Sequence, residues 1–287
     1  MITYNPKDWF RLIFQFHKSD TFRILLPTMI VLGVLTASLV YLEINNHVHL
    51  KSSTVFHQIL GFVLSMLLVF RINTAYERWW EGRKLWGSLI NNSRSLMTKL
   101  HAYLGKTHLE DLNYLRQLLI AFPYTLRNHL RGDFSHNGIP PIDGLDKEQF
   151  AATHNKPFFI HRLLVDRVQL IRESGRLSEQ QLFLINNELF SLIDITGACE
   201  RIKNSPIPFS YSLFLKKIIF VYIITMPIAF SLEYRYWAVP AVMVIFYAFA
   251  SLELVSEEVE EPFGMDSNDL PTDELADKIN RDLTSIF

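Results

Sequence analysis

The sequence predicts an all-α membrane protein: four transmembrane helices plus a helical cytosolic domain. Three observations predict it. The 287 residues are 49% hydrophobic, with a mean hydropathy of +0.14. Two runs, 24–42 and 52–70, contain no charged residue and match the roughly 20 apolar residues a helix needs to cross a bilayer. Between the second and third apolar runs lies a long stretch of helix-forming composition with no alternating strand pattern.

Taken in order, the transmembrane helices are predicted at about 22–43, 53–72, 212–232 and 236–254. The first two are plausible spans by length and composition, with buried core helices of a soluble protein as the alternative. The third is short in its purely apolar part, 218–232, unless Lys216 and Lys217 snorkel and the helix begins near Phe209. The fourth follows after only Glu233-Tyr234-Arg235, which makes the last two an antiparallel hairpin. The cytosolic helical region is predicted over about 73–210 and a C-terminal tail over 255–287. Helices are expected near 73–104, 109–131, 157–174 and 179–203, with a loop around 133–146. Ser178-Glu179-Gln180-Gln181 reads as a capping box that starts the last of these. Its Leu182, Ile185, Leu189, Leu192 and Cys199 form an apolar stripe suited to helix packing.

Charge distribution sets orientation. Lys7, Arg11, Lys18 and Arg23 precede the first span, Arg71, Arg78, Arg83 and Lys84 follow the second, and Lys216 and Lys217 precede the third. The positive-inside rule then puts both termini in the cytoplasm and the short loops outside. The opening residues lack the early apolar core of a signal peptide. Net charge is −1, so no global basic signal points to nucleic acid. "YERWWEGRKLW" mixes basic and aromatic residues, but beyond an apolar span such a mix suits interface anchoring.

Catalytic signatures are absent: there is no GxGxxG, Walker A, HExxH or GxSxG pattern, and no enzyme or cofactor is expected. The single cysteine, Cys199, excludes an internal disulfide. His47 and His49 flank one valine and read as loop histidines, with a metal pair as the alternative. The acidic C-terminal run reads as a solvated segment, with a hard cation as the alternative. Phe62, Met66 and Phe70 recur every four residues on one helical face. On periodicity alone they face lipid or core; in a symmetric oligomer the same stripe lines the axis and gates by dewetting. Gly61 and Ser65 beside the stripe permit close helix approach.

Short motifs in a specific order resemble the bacterial branch of the bestrophin family of ion channels, over nearly the whole chain. They are Ile2-Thr3-Tyr4, Arg78-Trp79-Trp80 after the second span, Ile207-Pro208 before the third, and Glu261-Pro262-Phe263-Gly264 followed by acids. The resemblance implies a homopentamer around one central pore in the bacterial inner membrane, in contact with membrane lipids and passing monovalent ions. It implies a pore neck at Phe62, Met66 and Phe70 and a cytosolic constriction at Glu179 and Gln180. Gln180 departs from the apolar residue often found there in bacterial members. A Glu179 ring suits cations, Na⁺ or K⁺; an anion (chloride) channel of the same fold and a non-conducting scaffold or sensor are the alternatives. The animal Ca²⁺ clasp is matched only in part, by Asp266 and Asp269, with Met265 and Glu261 departing from it, so no metal is expected.

Overall fold

A computed structural model describes residues 20–46, 54–133, 135 and 138–286. Nine α-helices are found among the described residues: α1 Asp20–Asn46, α2 Thr54–Leu104, α3 Leu109–Arg131, α4 Lys147–Ala152, α5 Lys156–Glu173, α6 Glu179–Asn204, α7 Phe209–Tyr234, α8 Ala238–Glu260 and α9 Thr272–Thr284. They contain no strand. Ile2-Thr3-Tyr4, the basic residues Lys7, Arg11 and Lys18, and the His47/His49 pair lie outside the described residues.

The second apolar run and the helix expected after it are one element. α2 runs for 51 residues without a break, about 75 Å at 1.5 Å per residue. That is more than twice the roughly 30 Å of bilayer hydrocarbon. Its sequence contains no proline, the usual cause of a sharp kink.

The chain forms two compact units. The first comprises the described residues up to Arg78 together with Pro206–Glu260. Here α1, α7 and α8 pack on one another around Leu25, Met29, Leu64, Leu68, Met226 and Val242. Its outer surface is also apolar: Val31, Phe62, Phe220 and Val244 are all more than 60% exposed. Apolar faces all round a helix are the mark of a lipid solvent. Three hydroxyls of this unit bond locally, Thr36, Ser65 and Ser256 each donating to the carbonyl four residues back. Pro27 and Pro227 lie inside α1 and α7, as membrane helices tolerate. The α7–α8 link is a tight turn in which Arg235 takes a positive φ of 49°.

The second unit comprises Trp79–Ser205 and the chain from Glu261 onward. α3 packs on α5 and α9, and α5 on α6, around Trp86, Leu96, Leu115, Phe122, Leu164 and Leu192. α6 begins at the expected capping box: Ser178 Oγ accepts from Gln181 N at 3.2 Å, and Gln181 Oε1 accepts from Ser178 N at 2.9 Å. The expected solvated acidic tail is corrected. Glu257, Glu258 and Glu260 belong to α8, and 272–284 is a docked helix, α9, with Leu275, Ile279 and Leu283 buried. Its acids pair with α3 and α2: Asp273 with Arg127 and Arg131 at 2.7 Å each, and Asp282 with Arg94.

Candidate ion pathway and its supporting side chains

The first half of α2 divides into two faces. His57, Gly61, Leu64, Leu68, Arg71 and Ala75 are buried at alternating steps of four and three, the repeat of a helix packed along one side. Gly61 is required by that packing: a Cβ there would lie 2.7 Å from the Tyr222 hydroxyl. The close approach expected at Gly61 is thus to α7 of the same chain. Ser65 is exposed and bonds back to Gly61 O. Phe62, Met66 and Phe70 fall on the other face, 67%, 47% and 58% exposed. His57 is held by Thr225 Oγ1 at 3.0 Å and stacks on Tyr222 at 5.3 Å.

At the end of this half, Arg71 is 1% exposed and meets two acids of α8. Its Nη2 is 2.7 Å from Glu260 and its Nε 3.8 Å from Glu253. Glu260 gathers further partners. Its Oε1 accepts from the Ile207 amide at 2.6 Å, and its carbonyl accepts from Arg78 Nε at 3.1 Å. Two motifs far apart in sequence therefore meet on one carboxylate-bearing residue. Sequence reasoning used Arg71 only as a charge that sets orientation and missed Glu253 and Glu260. The available signal was Glu253 and Glu260 seven residues apart on one helix face, matched by Arg71 and Arg78 at the same spacing.

In the second unit, Glu179 and Gln180 form the exposed first turn of α6. Glu179 accepts from Arg172 Nη2 at 3.1 Å, so a guanidinium stands against the charge expected to favour cations. Farther along α6, Phe183 and Phe190 are 78% and 62% exposed, an apolar surface the sequence reading did not single out. Glu188 is inward: burial opposes its ionisation, but hydrogen bonds from Lys99 and Ser95 outweigh burial and hold its pKa below the usual value. Burial, with Glu81 and Glu200 adding to it, pushes the Cys199 thiol up to about 12.

The loop after α8 is internally tied. Phe263 is buried, and Asp269 Oδ2 accepts from the Asp266 amide at 2.7 Å. Gly264 admits that carboxylate, since a Cβ there would meet Asp269 Oδ2 at 2.6 Å. Trp79 Nε1 donates to Asn268 O at 3.0 Å. Glu261 and Asp266 are exposed and Asp269 is buried. Among the described residues no group of three or more His, Cys, Asp or Glu is arranged to hold a metal.

A family model described as bacterial/fungal bestrophin protein matches residues 1–285. The chain belongs to the bestrophin family. Members of this family are ion channels. The chain is 32% identical to a voltage-dependent anion channel-forming protein of Nostoc sp., over 99% of this chain and 94% of that one. It is also 32% identical to a voltage-dependent anion channel-forming protein of Salmonella typhi, over 99% and 93%. Among solved structures, a point variant of a bacterial bestrophin homologue from Klebsiella pneumoniae superposes with a TM-score of 0.81 at 25% identity, covering 93% of this chain and 99% of that chain. A variant of a membrane protein superposes with a TM-score of 0.82 at 26% identity, covering 90% and 97%. The expectation of a cation path finds no support here: these relatives are named for anions, and the Glu179 charge invoked for cations is paired with Arg172.

Proposed function

We propose that the chain assembles as a homopentamer in the bacterial inner membrane and conducts small anions such as chloride along its axis. α1, the first half of α2, α7 and α8 cross the bilayer, at about 22–43, 53–72, 212–232 and 236–254, with both termini cytoplasmic. α6 is also long and apolar enough to cross a membrane. We assign it to the cytosolic region because α3, α5 and α9 of its own unit carry many charges. Lys99 is ion-paired with its buried Glu188 at 2.6 Å.

One observation carries the pore reading. α2 buries its Gly61–Leu64–Leu68–Arg71 side within the chain and leaves Phe62, Met66 and Phe70 exposed together. In a ring of copies that face is available to the axis, where stacked apolar side chains form a constriction gated by wetting. Glu179 and Gln180 form a second ring at the cytosolic end. The exposed Phe183 and Phe190 of α6 support self-association, since exposed aromatic surface of this kind marks interfaces. The names of the relatives support anions as the permeating species.

The test is flux from liposomes holding the purified protein, followed by reversal potentials across a KCl gradient. An anion channel reverses toward the chloride equilibrium potential. Reversal toward the potassium potential restores the cation reading. No flux from an assembled, symmetric protein leaves a scaffold or sensor.

A further inference from the structure

The first unit holds a cavity that the ion pathway does not use. It has a volume of about 330 Å³ and lies among α1, α7 and α8. Its walls are apolar, with Leu32, Ile223, Phe246 and Leu254 among them. One end is charged by Lys216, Glu253 and Glu257. Lys216 is ion-paired with Glu257. Glu253 is less well provided for. Its side chain is 8% exposed, and neither carboxylate oxygen accepts a hydrogen bond. Arg71 Nε stands 3.8 Å away, beyond hydrogen-bond distance, and Arg71 Nη2 is held by Glu260 at 2.7 Å. One guanidinium thus serves two buried carboxylates.

A buried carboxylate without donors is costly. A ligand that removes the cost brings N–H donors and positive charge to Glu253. A ligand that also fills the apolar walls carries those donors on a hydrocarbon body. The cavity volume falls at the low end of the roughly 300–1,000 Å³ of small-molecule sites. We propose that this cavity binds a protonated amine on a single apolar chain, its ammonium on Glu253 and its chain among the α1, α7 and α8 side chains. Charge complementarity selects this occupant. A fatty acid brings another anion beside Glu253 and Glu257, and a fatty alcohol brings one donor and no charge. The site is independent of which ion passes along the axis.

The experiment uses the full-length protein in phosphatidylcholine nanodiscs and a dodecylamine carrying a diazirine on its chain. After irradiation, labelled peptides are mapped by mass spectrometry. Labelling is expected within 216–224 and 246–257. Unlabelled dodecylamine competes, dodecanol and dodecanoate do not, and Glu253→Gln lowers labelling by about tenfold, the scale of one charge-assisted hydrogen bond. Equal competition by dodecanol, or full labelling of Glu253→Gln, overturns the proposal. If Glu253→Gln does not assemble, Ile223→Trp fills the cavity with every charge retained; labelling must then be lost, and its persistence overturns the proposal. Displacement of the probe by phosphatidylethanolamine in the nanodisc also overturns it and makes lipid the occupant.

Discussion

At the scale of single residues, two positions carry sharp expectations. Gly61 has no room for a side chain against Tyr222. Gly61→Ala should lower stability by about 1–3 kcal/mol, the cost of overpacking a filled core, read as a drop in melting temperature in detergent. Arg71 is the cation between Glu253 and Glu260. Arg71→Leu leaves two buried acids without it and should cost about 3–5 kcal/mol, the range for breaking a buried pair by removing one partner. Denaturation in detergent measures this, and wild-type stability in Arg71→Leu would refute the pairing. Cys199 needs no mutation. Its thiol, pushed up to about 12 by burial, should resist iodoacetamide at pH 8 in the folded protein and react fully once unfolded. Of these residues, Gly61 was legible as a small residue in a tight place. The Arg71 partners were not, because they lie 182 and 189 positions away, outside any local period.

At the scale of elements, α9 shows both what patterning reveals and what it hides. α3 was legible to its ends, 109–131, because its apolar spacing closes on Gly132, which takes the left-handed φ of 70° that ends a helix. α6 was legible from its capping box. α9 was not, because counting acids masks Leu275, Ile279 and Leu283 at steps of four. Two of those acids add ion pairs to the apolar contacts that dock it. Hydrogen bonding and charge from Arg131, against the opposing effect of burial, hold the Asp273 carboxyl below its ordinary pKa. A depressed folded pKa gives stabilisation that is present at neutral pH and lost as pH falls through the folded value. α9 should therefore detach progressively in acid below about pH 4, the unperturbed carboxylate range. Limited proteolysis of the C-terminal segment at successive pH values reads this. Asp273→Asn should weaken docking at pH 7 and flatten the acid dependence; a variant as pH-sensitive as the wild type would refute it.

At the scale of the whole molecule, the channel reading depends on copies placing the Phe62, Met66 and Phe70 face around one axis. The triple substitution of Phe62, Met66 and Phe70 by Ala should raise conductance several-fold in planar bilayers by easing wetting of the neck. Unchanged conductance would remove these side chains from the path. At the proposed cytosolic ring, Glu179→Gln frees Arg172 from its partner and should shift reversal further toward chloride; an unchanged reversal potential would show that Glu179 does not face permeating ions. The all-helical fold and the family were legible because long uncharged runs and short ordered motifs survive in a single sequence. The partner of Glu179 was not, because which charges stand together depends on the fold, and Arg172 lies seven residues from Glu179 across a turn.

α2 also constrains how this chain can change in length. A single residue deleted near Ile72 would turn the part of α2 that follows by about 100° relative to the Phe62, Met66 and Phe70 stripe. A seven-residue insertion brings the phase back to within about 20°. Along this helix, insertions and deletions keep the phase of its faces only in whole numbers of turns.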